Sequence, residues 1–312
     1  MDKFIDFLAG IRRKTAGLAQ LQEEKPINYG HQFTFVRDGS KLTLAVYNGK
    51  KGLRLVWRGR GDQLEADLTA AVEGKVLQPT VTATAPLLQG EYTAPLWEGS
   101  WAGSDESGKG DFIGPLVVAA AVVDAGTAAK LKAAGVKDCK ALTDKKILEL
   151  EELIKQVVVD YAVLELKPRV YNMRYQQLKE RGGNLNQLLT LGHMAALSQV
   201  LERQPQCQGA LIDQFTPSQA ILVALKQKFP PVDFRQRPKA EQDVAVAAAS
   251  VLARAAFLHR MEELSLLAGE ELPKGGGSQA TAAAQRLADR LGRQSLGDFV
   301  KLHFSNYSKI NS

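Results

Sequence analysis

Along residues 1–24 the apolar side chains Phe4, Ile5, Phe7, Leu8, Ile11, Leu18 and Leu21 recur at helical spacing, which predicts one amphipathic helix. The period then drops to two. His31–Arg37 puts Phe33 and Phe35 on one face, Lys41–Tyr47 puts Leu42, Leu44 and Val46 there, and Gly52–Arg58 adds Leu53, Leu55 and Trp57. Three half-buried strands are expected, with Asp38-Gly39 and Asn48-Gly49 as the hairpin turns between them. Gln63–Glu73 returns to helical spacing, so residues 1–77 read as a helix–meander–helix domain. Gln78–Pro95 is rich in Pro and Thr, and a linker is expected over residues 78–96.

Residues 97–312 form the second expected domain. Trp101–Glu106 and Pro115–Val123 read as a strand hairpin, and Val157–Lys167 and Gly209–Asp213 as further strands. Helices are expected over Thr143–Lys155, Leu185–Arg203, Ser218–Lys228, Glu241–Glu263 and Ser278–Leu291, the last with Ser278 as its N-cap. The Ala-rich Glu241–Glu263 stretch has few charges in its first half and should be largely buried. Strands first and then αβ alternation predict an α+β or α/β fold, a mixed sheet flanked by helices.

Composition sharpens this only slightly. Lys and Arg number 40 against 34 Asp and Glu, a net charge of +6, which suits a polyanionic partner. The basicity is uneven. Residues 1–77 hold 13 basic against 9 acidic residues, with Lys50, Lys51, Arg54, Arg58 and Arg60 at one hairpin end beside Tyr47. Two cysteines without C-x-x-C spacing point away from a disulfide scaffold and from zinc. No leader and no membrane span are expected, and the chain reads as a cytoplasmic monomer.

Candidate chemistry lies in the acids. Gly103-Ser104-Asp105-Glu106-Ser107-Gly108-Lys109-Gly110-Asp111 places two carboxylates at the end of an apolar strand, ahead of a glycine-flanked turn. Neighbouring strand residues face opposite sides, so both reach one site only where the strand ends or bulges. Asp213 closes the apolar strand Gly209–Ile212, where sites in αβ sheets commonly form, although taken by itself a helix N-cap is the better explanation. Glu241 opens the Ala-rich helix, with Asp243 as its competitor. Carboxylates from separate segments, without a His or Cys cluster, suit Mg²⁺ or Mn²⁺.

Asp105–Asp111 running into Phe112-Ile113-Gly114-Pro115 resembles the opening motif of the ribonuclease HIII family. Val136–Asp144, Gly183–Asn186, Leu211–Phe215, Lys239-Ala240-Glu241 running into Ala245–Ser250, Leu272–Gly275 and Lys301–Phe304 resemble its later motifs, in family order. The resemblance implies a ribonuclease H-like catalytic domain behind an N-terminal domain of TATA-binding-protein type that grips substrate. It implies hydrolysis of the RNA strand of RNA–DNA hybrids by two-metal-ion catalysis, leaving 5′-phosphate and 3′-hydroxyl ends. The implied ligands are Asp105, Glu106, Asp213 and Glu241, with Asp105 shared between the ions. Cys139 and Ala141 stand where the resemblance leads one to expect Ser and Lys, and Lys109 where a small polar residue or Arg is expected.

Substrate contacts are expected from Ser107, Gly108, Lys109 and Gly110, which adjoin the acids, and from Lys140, Asn184 and Lys239. Lys50, Arg54 and Arg58 would serve from the N-terminal domain. Asn184 could equally cap the helix after it, and His193 is expected to be a packed or surface helix residue, with a proton shuttle as the lesser alternative. Two other readings stay open: a type HII ribonuclease acting on single embedded ribonucleotides, and a hybrid-binding protein without catalysis.

Overall fold

In the computed structural model, which describes residues 3–49, 52–60, 62–73, 97–216 and 218–311, the first departure from the expected pattern comes at Gly17. Its φ of +88° ends the first helix, α1 (Lys3–Thr15), well short of residue 24. The chain then extends into a strand, β1 (Gln20–Ile27), instead of continuing as helix. β1 pairs antiparallel with β2 (Gly30–Arg37), β2 with β3 (Ser40–Gly49), and β3 with β4 (Gly52–Arg60). The meander therefore has four strands, not three. Leu18 and Leu21 fit helical spacing because an edge strand and a helix share short apolar intervals.

Asp38 and Gly39 both take positive φ, as a two-residue primed hairpin turn requires. Asn48 and Gly49 do not form the other turn. They pair with Leu53 and Gly52, so the connection is Lys50 and Lys51, which lie outside the described residues, as does the expected linker over 78–96. Phe33, Phe35, Leu42, Leu44 and Val46 face α1 and a second helix, α2 (Asp62–Glu73), which contributes Leu64, Leu68 and Val72.

The chain divides into two compact units, Met1–Gln89 and Gly90–Ser312. In the second, β5 (Trp101–Ser107) is central in a five-stranded sheet. It pairs antiparallel with β6 (Leu116–Val123), which pairs with β7 (Asp160–Leu166). On its other side β5 runs parallel to β8 (Gly209–Asp213), which is followed by β9 (Asp233–Arg237) at the edge. β6 is buried on both faces. Val117, Ala119 and Ala121 pack into one core, and Val118, Ala120 and Val122 into the other. The expected mixed sheet between helices is thus present.

One layer is built on α3 (Ala125–Ala133), α4 (Asp144–Val157), α8 (Val244–Ala268) and α9 (Ser278–Leu291). The other holds α6 (Leu185–Arg203) and α7 (Ala220–Lys228), with α5 (Pro168–Glu180) packed beside α6. α3, α5 and β9 have no counterpart in the sequence reading. The cap of α9 is Gly277 rather than Ser278.

The Glu241–Glu263 helix is also corrected. Ala240–Gln242 form a separate 3-10 turn, and α8 begins only at Val244. By length and composition α8 could cross a membrane, yet 72% of its most apolar window is buried inside the fold. Asp243 is its N-cap, fully buried, accepting from the Ala245 N–H at 2.9 Å and from Trp101 Nε1 at 3.1 Å. The helix reaches the sheet because residue 103 is glycine: a Cβ there would stand 2.1 Å from the Val246 nitrogen. Asp243 thus ties the start of α8 to the first residue of β5.

Replacing Asp243 by Ala removes a helix cap and strands the buried Trp101 N–H. The expected loss is about 2–3 kcal/mol of folding stability. Denaturant unfolding of the variant measures it, and an unchanged midpoint would show that the Trp101–Asp243 tie is dispensable.

Candidate active site

Parallel pairing of β5 with β8 sets the site. Ser104 pairs with Ile212, so one step further along both strands Asp105 comes beside Asp213, at their C-terminal ends. Gly103, against α8, fixes which face is which. Alternation then turns Asp105 toward the α8 layer and Ser104 and Glu106 toward α6. Glu241 follows β9 in its 3-10 turn, and the Asp213 Oδ1 accepts from the Ala240 N–H at 2.9 Å. That bond brings the segment carrying Glu241 to the end of β8. A cleft of about 580 Å³ opens here, lined among others by Asp105, Glu106, Gly108, Lys109, Lys140 and Asp213.

The two neighbouring acids live in different surroundings. Asp105 is 8% exposed, and burial, followed by the charges of Glu106 and Asp213, pushes its pKa up to about 7. Ser250 lies close enough to pull the other way, but its buried hydroxyl makes no hydrogen bond of normal geometry. Burial also works against the charge on Glu106, yet the hydrogen bond from His193 and the presence of Lys109 outweigh it and hold this carboxyl below its ordinary range. Oε2 of Glu106 lies 3.2 Å from His193 Nε2, and Oε1 lies 3.3 Å from Lys109 Nζ. Glu241 is raised, first by burial and then by Asp213 and Asp138, with Lys140 opposing. Lys140 is raised because Asp138, Glu241, Asp105 and Asp213 together outweigh the effect of its burial.

Such mutual repulsion among oxygen donors is the chemistry a hard divalent cation relieves, so the residues present fit Mg²⁺ or Mn²⁺. Among the described residues no three His, Cys, Asp or Glu side chains already stand close enough together to hold an ion.

The other expected contacts divide. Ser107, Gly108, Lys109, Gly110 and Lys140 line the cleft. Asn184 is the N-cap of α6, accepting from the Gln187 N–H, and does not line it. Neither does Lys239, which takes φ +56°, a left-handed conformation uncommon outside glycine. In the N-terminal unit Arg54 pairs across from Tyr47, and Arg58 from Thr43, on the face of the sheet away from α1 and α2. The Arg58 side chain and all of Lys50 lie outside what is described.

Three residues beyond the expected metal ligands and substrate contacts help to build the site. His193 is fully buried, its Nδ1 taking the Ser104 hydroxyl at 2.6 Å and its ring stacked on Phe215 at 4.8 Å. Phe215 also sits under Lys109, whose Nζ is 5.9 Å from the ring centre. Arg254 lines the cleft and donates to Asp144, which Lys274 also reaches. The period of α8 places Arg254 one turn beyond Ser250, which was the available signal for it. Position on α6 alone could not decide the role of His193, because its partners Ser104 and Glu106 lie 89 and 87 residues away.

Comparison with known proteins agrees with this architecture. The family model described as Ribonuclease HII matches residues 102–307. A protein named Ribonuclease HIII from Bacillus cereus is 39% identical over 284 residues, covering 88% of this chain and 87% of that one. Another of that name, from Protochlamydia amoebophila, is 42% identical over 208 residues, 67% of each chain. Among solved structures, Bst-RNase HIII in complex with Mn²⁺ superimposes with a TM-score of 0.63 at 30% identity, covering 97% of this chain and 94% of that one. The chain belongs to the ribonuclease HIII family, within the type 2 ribonucleases H.

Proposed function

We propose that the protein hydrolyses the RNA strand of RNA–DNA hybrids, leaving 5′-phosphate and 3′-hydroxyl ends, with Asp105, Glu106, Asp213 and Glu241 holding a pair of Mg²⁺ or Mn²⁺ ions. The observation that supports it most is the parallel register that ends at Ser104 and Ile212 and leaves Asp105 and Asp213 as the next residues of adjacent strands, where burial and like charge raise Asp105 to about 7. The ions would supply Lewis-acid activation of water and neutralise the leaving oxygen.

The remaining work falls to the chain's own groups. His193 and Lys109 each hold one oxygen of Glu106 and so fix its direction. Lys140, on the cleft wall and within reach of the charges of Asp138, Glu241, Asp105 and Asp213, supplies positive charge for a phosphate. The turn after β5 is suited to read the ribose. Among the described residues no protein acceptor takes the N–H of Lys109 or Gly110, and both residues line the cleft beside Glu106. These amides can bond a 2′-hydroxyl, the group that separates RNA from DNA. In the N-terminal unit the sheet face carrying Tyr47 and Arg54 offers aromatic and cationic contact to a duplex backbone.

Asp105→Asn keeps size and removes charge from a crowded, dry position. Cleavage of a labelled hybrid should fall at least a thousandfold, while the melting temperature stays equal to or above that of the parent. Substantial cation-dependent activity in the folded variant would remove Asp105 from the site.

Below pH 7 Asp105 holds a proton that an ion must displace. The apparent Mn²⁺ affinity, measured by calorimetry, should weaken by up to about tenfold per unit as pH falls from 7 to 5, and level off above 7. An affinity constant between pH 5 and 8 would contradict the raised Asp105.

On the Asp105→Asn background, replacing Arg54 and Arg58 together by Ala should flatten the log–log salt dependence of hybrid binding by about 1–2 units. An unchanged slope would mean that this sheet face does not touch the substrate.

A further inference from the structure

Lys301 is the one lysine among the described residues that is wholly buried, at 0% exposed, and no carboxylate lies within ion-pair distance of it. Its Nζ instead donates to two backbone carbonyls, Asp111 O at 2.7 Å and Gly114 O at 2.8 Å, with the Tyr171 ring centre 5.6 Å away. Both carbonyls belong to the loop joining β5 to β6, whose first residues are the cleft-lining Gly108, Lys109 and Gly110.

That loop is held from far along the chain. The Lys301 N–H donates to Phe112 O, and the Gly114 N–H to Phe299 O, both at 2.9 Å. The Phe112 N–H donates to Gly275 O, and the Gly275 N–H returns to Asp111 Oδ1 at 2.6 Å. Within the loop the Asp111 N–H donates to Gly108 O at 3.2 Å, which couples the clamped half to the cleft half. Gly108 has no slack to absorb a shift: its φ is +85°, and a Cβ on it would stand 2.2 Å from Pro115 O.

A buried charge of this kind is a poor source of stability, because an apolar side chain of similar volume often serves as well or better. Burial draws the Lys301 pKa down to about 7, against the pull of Asp111. The amine still has two N–H groups and the ammonium three, so both carbonyls are served in either form. What Lys301 provides that an apolar residue would not is a fixed position for two carbonyls of the loop.

We propose that Lys301 is a specificity-positioning residue: by clamping Asp111 and Gly114 from inside the β5–β6 loop, it holds the Lys109 and Gly110 amides where they bond the ribose 2′-hydroxyl of the substrate. This rests on the reading of that turn as the part that reads the ribose.

The test measures binding, on the Asp105→Asn background, of two duplexes that share a DNA strand. One pairs it with RNA, the other with 2′-fluoro-RNA, which keeps the A-form sugar pucker but has no 2′ hydrogen-bond donor and only a weak acceptor. The protein with Lys301 intact should prefer the RNA duplex by about tenfold, the scale of one or two well-placed hydrogen bonds. Lys301→Met should reduce that preference to about twofold or less, with a melting temperature within a few degrees of the parent. A merely structural role would lower the folded fraction and weaken both duplexes alike, leaving the ratio untouched, and that result overturns the proposal. Asp111→Ala removes the bond from the Gly275 N–H that anchors the same loop, with Lys301 in place. It should also shrink the ratio, and it decides the matter if Lys301→Met does not fold. If the parent itself shows no preference for the RNA duplex, the reading of the turn fails, and the assignment of Lys301 fails with it. If the parent discriminates and neither variant changes the ratio, the assignment of Lys301 alone fails.

Discussion

The close crossing of α8 over β5 at Gly103 is the contact on which the catalytic unit depends. A single methyl group at that position would meet the helix backbone, so the helix can lie on the strand only at a residue without a side chain. Asp243 then ties the start of the helix to Trp101, two residues earlier on the same strand. Once that crossing is set, much else follows. Ser250 falls near Asp105, Arg254 falls one turn later on the cleft wall, and the 3-10 turn with Glu241 is drawn to the end of β8. The acids come from three distant segments, but their meeting place is decided by one helix–strand contact and one parallel register.

Adjacent residues of a strand then place two carboxylates in opposite layers. Asp105 faces the α8 layer and takes up a proton near neutrality, while Glu106, about as deeply buried, faces His193 and Lys109 and stays charged. This split lowers the cost of packing acids side by side, because the two do not have to be ionised together. His193 is central to it without lining the cleft. Held by Ser104 behind and Phe215 alongside, it presents one ring nitrogen to one oxygen of Glu106.

Elements with an unambiguous period were legible in the sequence. β6 and β8 are uninterrupted apolar runs, and α6 was bounded to the residue because Asn184 caps it. The failures have specific causes. β9, Asp-Phe-Arg-Gln-Arg, is an edge strand whose pairing is mostly backbone, so its side chains carry little apolar signal. α5 is polar overall and begins at Pro168. β1 was absorbed into the preceding helix because one glycine was not read as a stop. The candidate acids were visible as residues, through the ordered motifs. Their surroundings were not, since the burial of His193 and the bonds of Lys301 depend on partners roughly 90 to 190 residues away.

The apolar character of α8 also bears on how the chain is made. A segment with a mean hydropathy of 1.4 over 18 residues is hazardous when it leaves the ribosome with nothing to cover it. All five strands of the sheet, from Trp101 to Arg237, are synthesised before it. The surface that α8 covers can therefore already exist when the helix emerges, so the order of translation shortens its exposure to water and to chaperones. A circular permutation that moved α8 ahead of β5 would lose that protection.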